Sequence, residues 1–380
     1  MRTPQLKKEI VNLYFSPREG RQYGLLVLGP IGCGKSTAIN EAAEEIAKRE
    51  KKEIFRTIMT SKQLITEKKI DEFFKEPDRY FPVTEFMLST SEPSDLTGYP
   101  RDIGGMTYYS PLYWAAIHAA APGMLFLDEL TWVQREDVWS VAPRIVLDKV
   151  AGMTQLHPKT LVVAAGNRPE DAASIVRLVH NPLLNRFKII DINPPTVDEW
   201  ARYMKKKYGE EWDQRTYAFL KAYQSENYLL KIPSTPEGLE QFPTPRSWSW
   251  VALDMYRGFD SIEDLVGLLG KEVGHKFYAF TQVNVDLETM IDNPEKFAEL
   301  PFDAKYMVAF MLATYLNSKK NVDAALPLID QMFNVSGEYV VVMITSLNRK
   351  ISEQLIYKLV EHDQKYLEFM KTVTETLRSY

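Results

Sequence analysis

Cysteine is almost missing from this chain: Cys33 is the only one in 380 residues. That excludes an intrachain disulfide framework and a thiolate zinc cluster. The five histidines are scattered, with no H-x-x-x-H pair. No apolar run approaches the length of a membrane span, and the N-terminal MRTPQLKKEIVNLYF has no signal-peptide core. With no export signal in view, a reducing cytoplasm is the expected compartment. No repeat period or low-complexity tract stands out. The formal charge is −5, which speaks against a generally basic nucleic-acid surface. What remains is 45% hydrophobic and 26% charged, the balance of a soluble globular protein. Its length suits two or three domains.

Glycine is sparse too, yet four residues of the stretch GPIGCGKST, Gly29 to Thr37, are glycine or proline. The stretch fits G-x-x-x-x-G-K-[ST], and it sits between the apolar YGLLVL and the helix-forming AINEAAEEIAK. A strand aiming such a loop into a helix presents unpaired N–H groups and a positive dipole end to phosphate. Gly29, Gly32 and Gly34 allow the tight backbone path. Pro30, Ile31 and Cys33 complete the loop through their backbone. Lys35 can place its charge on the β- and γ-phosphates of ATP, Ser36 can offer its hydroxyl oxygen to Mg2+, and Thr37 lies beside the phosphate path.

MLFLDEL reads as a buried strand that delivers Asp128 at its end. Asp128 is placed to order the water shell of Mg2+, and Glu129 to activate the water that attacks the γ-phosphate. An acidic pair at a strand end is commonly an exposed cap; the preceding phosphate loop is what raises this one above that. TLVVAAGNRPEDA is a further core strand, ending in Asn167, whose amide could hold the attacking water or sense the γ-phosphate. NPLLNRFKII carries Arg186 before another apolar strand, and PTPRSW places Arg246 at a helix start. A small kinase would share the phosphate and metal groups, but it would need an acceptor pocket rather than a placed water.

The organisation is expected to begin with a helix over 4–16 and a strand over 23–28. A helix over 35–51, a strand over 53–59, a charged helix over 62–78 and an irregular segment follow. Next come a helix at 110–121, a strand at 124–128, a helix at 137–150, and strands at 160–165 and 187–191. Strands alternating with helices predict an α/β fold, a P-loop parallel sheet flanked by helices. After PPTVDEW the alternation stops. An all-helical lid and a helical C-terminal region are expected, with Pro301 and Pro327 marking helix starts. The domains are drawn at 1–193, 194–285 and 286–380.

In their order these elements resemble the AAA+ ATPases, particularly the MoxR-like branch, from about Gly24 to Trp250. GPIGCGKST is similar to the Walker A element, MLFLDEL to Walker B and AAGNRPEDA to the sensor 1 region. The resemblance implies that Arg186 is an arginine finger reaching the ATP of a neighbouring subunit, and that Arg246 is a sensor 2 residue. It further implies a homo-hexameric ring that remodels or matures a separate protein, often one with a von Willebrand factor A domain. Arg144 and Arg168 are secondary interface candidates. SEPSDLTGYPRDIGGMTYYSPLYW, with Tyr99, Tyr108, Tyr109 and Trp114, can supply a partner-facing loop or simply fill the core. A second candidate is REDVWSVAPRIVLDKVAGMTQLHP, with Trp139 and Gly152. GYP does not match the compact pore signature of threading disaggregases, so local remodelling is expected rather than threading. A nucleic-acid-directed motor and a nucleotide-controlled scaffold with little turnover are the competing readings.

Overall fold

The computed structural model describes residues 1–16, 23–57, 69–133, 136–168, 184–233, 241–319, 322–369 and 371. Parts of the expected helix at 62–78, of the strand at 53–59 and of the Pro-rich link lie outside these residues, as does the Trp139 side chain. The chain forms two compact units, Met1–Pro194 and Pro195–Tyr380.

The first unit is built on a six-stranded sheet in the order β10-β1-β9-β6-β3-β2, with every pairing parallel. Its strands are β1 (Gly24–Leu28), β2 (Glu53–Arg56), β3 (Tyr80–Met87), β6 (Met124–Asp128), β9 (Leu161–Gly166) and β10 (Phe187–Asp191). The central strands read as unbroken apolar runs because both faces are covered. On one face α1 (Thr3–Phe15) and α2 (Lys35–Glu50) bury Leu6, Ile10, Ala38, Ile39, Ala42 and Ile46 against Leu25, Val27, Phe126 and Val163. The alanines of α2 let α1 approach closely, so Ala42→Leu would overpack this layer at about 1–3 kcal/mol. On the other face α5 (Tyr113–Ala120) and α6 (Glu136–Leu147) contribute Trp114, Ala115, Val138 and Val146. Two short helices, α3 (Lys69–Lys75) and α4 (Pro93–Thr97), flank β3 in the chain.

The segment read as irregular is ordered. It contains strand β3, then the antiparallel hairpin of β4 (Tyr99–Ile103) and β5 (Met106–Ser110), every residue of which is exposed or half-exposed. Tyr99, Tyr108 and Tyr109 are therefore surface groups, whereas Trp114 is core. A smaller hairpin, β7 (Val150–Ala151) with β8 (Thr154–Gln155), turns through Gly152 at φ +59°. A Cβ there would come within 2.0 Å of the Thr97 carbonyl, so the turn of the smaller hairpin is seated against the base of the larger one.

The second unit is helical: α7 (Val197–Tyr208), α8 (Arg215–Ala222), α9 (Pro245–Tyr256), α10 (Ile262–Leu269), α11 (Lys271–Thr281), α12 (Leu287–Asp292), α13 (Phe302–Lys319), α14 (Val322–Val335), α15 (Gly337–Thr345) and α16 (Arg349–His362). PPTVDEW starts it with a capping box: Glu199 N–H donates to Thr196 Oγ1 at 3.2 Å, and Thr196 N–H donates to Glu199 Oε2 at 2.7 Å. Phe219 lies at the centre of an aromatic cluster with Tyr228, Trp248, Phe277 and Phe280. Residues from 286 onward join the same core as those before it. Pro327 does not open a helix; it lies inside α14. Its missing N–H forfeits one helical bond, and burial of Leu328, Ile329 and Met332 on the same helix outweighs that loss. Among the described residues no helix is long and apolar enough to cross a membrane.

Candidate functional site

β1 ends at Leu28 and α2 begins at Lys35, so Gly29 to Gly34 is a loop at the C-terminal edge of the sheet. Gly34 is the N-cap, at φ +92° and ψ +21°, a left-handed conformation that a Cβ would strain. This turn points the first N–H groups of α2 into the loop. Lys35 is buried, and its Nζ donates to Gly29 O at 2.7 Å, Pro30 O at 2.8 Å and Asn167 Oδ1 at 2.8 Å. Residues 132 positions apart in sequence thus share one hydrogen bond. Ile31 and Thr37 are exposed at the loop, and the Cys33 thiol is buried.

β9 lies between β1 and β6, which is why Asn167 emerges between the loop and Asp128. Its N–H donates to Thr131 Oγ1 at 3.0 Å, fixing the backbone from which the amide projects. Ser36 Oγ donates to Asp128 Oδ2 at 2.8 Å, while the Glu129 N–H donates to Asp128 Oδ1 at 2.8 Å. A hydroxyl and a carboxylate side by side are the hard oxygen donors that Mg2+ and its waters accept. Glu129 holds φ +57°, a strained angle for a residue with a Cβ. One of its oxygens accepts a hydrogen bond from the Ser89 hydroxyl.

Three residues here carry no sequence motif. Ser89, just after β3, holds Glu129. Asn40, one turn beyond Ser36, donates to Ser36 O at 3.0 Å and to Glu85 Oε2 at 3.4 Å. Glu85 is half-buried on β3, and burial, then the nearby Asp128 charge, push its carboxyl above the usual range against the opposing effect of Asn40 and Arg56. Recognising FPVTEFM as a strand would have placed both Glu85 and Ser89 at this edge.

Arg186 lies elsewhere. Its carbonyl accepts from the N–H of Gly24, the first residue of β1, so it stands at the N-terminal edge of the sheet. The five residues of β1 put about 17 Å between that edge and the phosphate loop. That exceeds the reach of an arginine side chain, so Arg186 does not serve the loop of its own chain. Arg144 is exposed on α6, and Arg168 is half-buried beside Asn167. Arg246 belongs to the second unit. Thr244 caps α9 through Ser247, Pro245 follows the cap, and Arg246 is exposed in the first turn.

No family model matches the sequence, and no curated protein matches it. Among solved structures, AMPPCP-bound DnaA from Aquifex aeolicus is similar over 99% of this chain and 91% of that one, at 11% identity and a TM-score of 0.34. NtrX from Brucella abortus in complex with ADP is similar over 94% of this chain and 68% of that one, at 13% identity and a TM-score of 0.33. At TM-scores this low neither likeness carries a functional reading. The chemistry rests on the convergence of Lys35, Ser36, Asp128, Glu129 and Asn167 at one edge of the sheet.

Proposed function

We propose that the chain is an ATPase of the AAA+ type that cuts Mg-ATP and uses the change to remodel a partner protein. The observation that carries the reading is the pairing at one sheet edge of Lys35 with Asn167 and of Ser36 with Asp128. The Gly29 and Pro30 carbonyls around Lys35 Nζ are weak partners beside phosphate oxygens. With ATP in the loop, Lys35 carries its charge to the β- and γ-phosphates, and Asn167 beside it holds the attacking water. Ser36, through its hydroxyl oxygen, and Asp128, through water, would hold the metal. Magnesium, when bound, neutralises phosphate charge. Glu129 takes a proton from water as its oxygen bonds to the γ-phosphorus; the β–γ bridging P–O bond breaks, and its electrons leave with ADP.

Arg246 supports a lid role through its position. A cation in the first turn of a helix opposes the macrodipole, at roughly 0.3–1 kcal/mol, and an anion is what would reverse that cost. The exposed hairpin β4–β5 supports a protein partner. Tyr99, Ile103, Met106 and Tyr108 share one face with Arg101, and Asp102 on the other face balances that charge. Such a surface offers packing to a polypeptide and little to a phosphate backbone. The partner class that the resemblance carries is a separate protein with a von Willebrand factor A domain, and the assembly a homo-hexamer.

Purified protein should release phosphate from ATP, and Glu129→Gln should bind nucleotide as well as the native chain while turning over about a hundredfold to ten-thousandfold more slowly. Equal, slow rates for both would leave a scaffold. Turnover stimulated by nucleic acid, with affinity falling as salt rises, would transfer the reading to a nucleic-acid motor.

A further inference from the structure

The mechanism above leaves one carboxylate at the site unused. Glu85 lies on β3, where Glu85 pairs with Phe126 and Met87 with Asp128, so Glu85 and Asp128 project from the same face of the sheet on adjacent strands. That is the face covered by α2. We infer that Glu85 is a positioning residue for the metal, a second carboxylate that accepts from its water shell beside Asp128; the inference rests on the nucleotide reading of this same site.

The need follows from counting acceptors. Mg2+ dehydrates reluctantly and keeps several waters, each with two protons to donate. Asp128 Oδ1 already accepts from the Glu129 N–H and Oδ2 from the Ser36 hydroxyl, each at 2.8 Å, so about half of its acceptor sites are engaged within the protein. A second carboxylate beside it adds acceptors for such a shell. Glu85 is the neighbouring acceptor, and among the described residues its one hydrogen bond is the long 3.4 Å contact from Asn40.

The surroundings also orient it. Arg56, the last residue of β2, donates from Nη1 to Asn40 Oδ1 at 2.7 Å. That fixes which way the Asn40 amide faces: oxygen toward the guanidinium, nitrogen toward Ser36 O and Glu85. Asn40 therefore braces the backbone of the metal-binding Ser36 and the side chain of Glu85 together. A carboxylate kept only to anchor Asn40 would make a short bond to it, and this one is long.

The test measures binding of a fluorescent ATP analogue to the full chain in EDTA and across a Mg2+ titration, with Mn2+ electron paramagnetic resonance as a second readout. For Glu85→Gln the Mg2+ concentration needed for half-maximal binding should rise about tenfold, as for other outer-shell partners of metals. Affinity in EDTA should be unchanged or tighter, and the bound Mn2+ spectrum should alter. Glu85→Asp, which keeps the charge on a shorter arm, should shift the Mg2+ requirement in the same direction and carries the test if Glu85→Gln does not fold. A Mg2+ requirement indistinguishable from the native one, or an equal loss in EDTA, overturns the role. Asp128→Asn separates the two levels of failure. If it loses metal dependence while Glu85→Gln does not, Glu85 alone falls; if the native chain binds no nucleotide, the reading beneath falls with it.

Discussion

At the scale of single residues, the side chains of the site hold one another. Glu129 is the group proposed to activate water, and its carboxylate accepts from Ser89. A hydrogen bond to a charged group contributes about 1.5–3 kcal/mol, part of which is recovered from water when it breaks. Ser89→Ala should therefore raise basal hydrolysis roughly threefold to tenfold, with nucleotide affinity unchanged. A single-turnover rate equal to or below the native one would show that Ser89 does not restrain Glu129. A second residue sets acid stability. His118 is fully buried, shares a 2.8 Å bond with Thr84 Oγ1, and is pushed down from 6.5 to about 3 by desolvation. The native state keeps it neutral, whereas the unfolded chain protonates it near its ordinary value. Its contribution is thus complete above pH 6.5 and is lost as pH falls toward 3, at about 1.4 kcal/mol per pH unit. Urea unfolding between those limits should show a shallower pH slope for His118→Gln, by about one proton, than for the native protein.

At the scale of elements, the β4–β5 hairpin and β3 teach different things. Ile103 and Met106 pair across the hairpin and are 60% and 74% exposed, so replacing both with Ser removes almost no folded-state contact. The melting temperature should hardly move, since exposed substitutions cost within about 0.5 kcal/mol. Capture of a partner by the ATP-trapped Glu129→Gln form should be lost; capture at native strength would remove the hairpin from the partner surface. The sequence announced the loop, the parallel strands and the carboxylate end of β6, because phosphate-loop spacing and buried apolar runs are local signals. It hid β3. Pro82 breaks the usual strand composition, and Thr84 and Glu85 replace apolar residues where the strand meets His118 and the site rather than core. The hairpin was equally hard to foresee, since Gly104 and Gly105 read as loop while the pairing of Tyr99 with Ser110 and Arg101 with Tyr108 is set across the turn. Ser89 and Asn40 act through tertiary placement, which no spacing rule reports.

At the scale of the whole molecule, the position of Arg186 bears on the proposed assembly. It lies across the sheet from its own phosphate loop, so any contribution to hydrolysis must be made to another copy. A head-to-tail ring supplies that geometry, with each chain offering one edge to the loop of the next. Arg186→Ala should keep nucleotide binding but lose turnover, by about a thousandfold if it acts as an arginine finger. Lys35→Ala should fail for the opposite reason, because it keeps Arg186 and loses the phosphate contact. Mixed together, the two inactive variants should regain activity, because a Lys35→Ala chain can still donate Arg186 to the intact loop of an Arg186→Ala neighbour. With random mixing in equal parts, roughly a quarter of the interfaces carry both groups. Recovered turnover near that fraction, rising with protein concentration, is the expected result. Mixed assemblies that form and stay inactive, or an Arg186→Ala chain that works alone at every concentration, would return the chemistry to a single polypeptide.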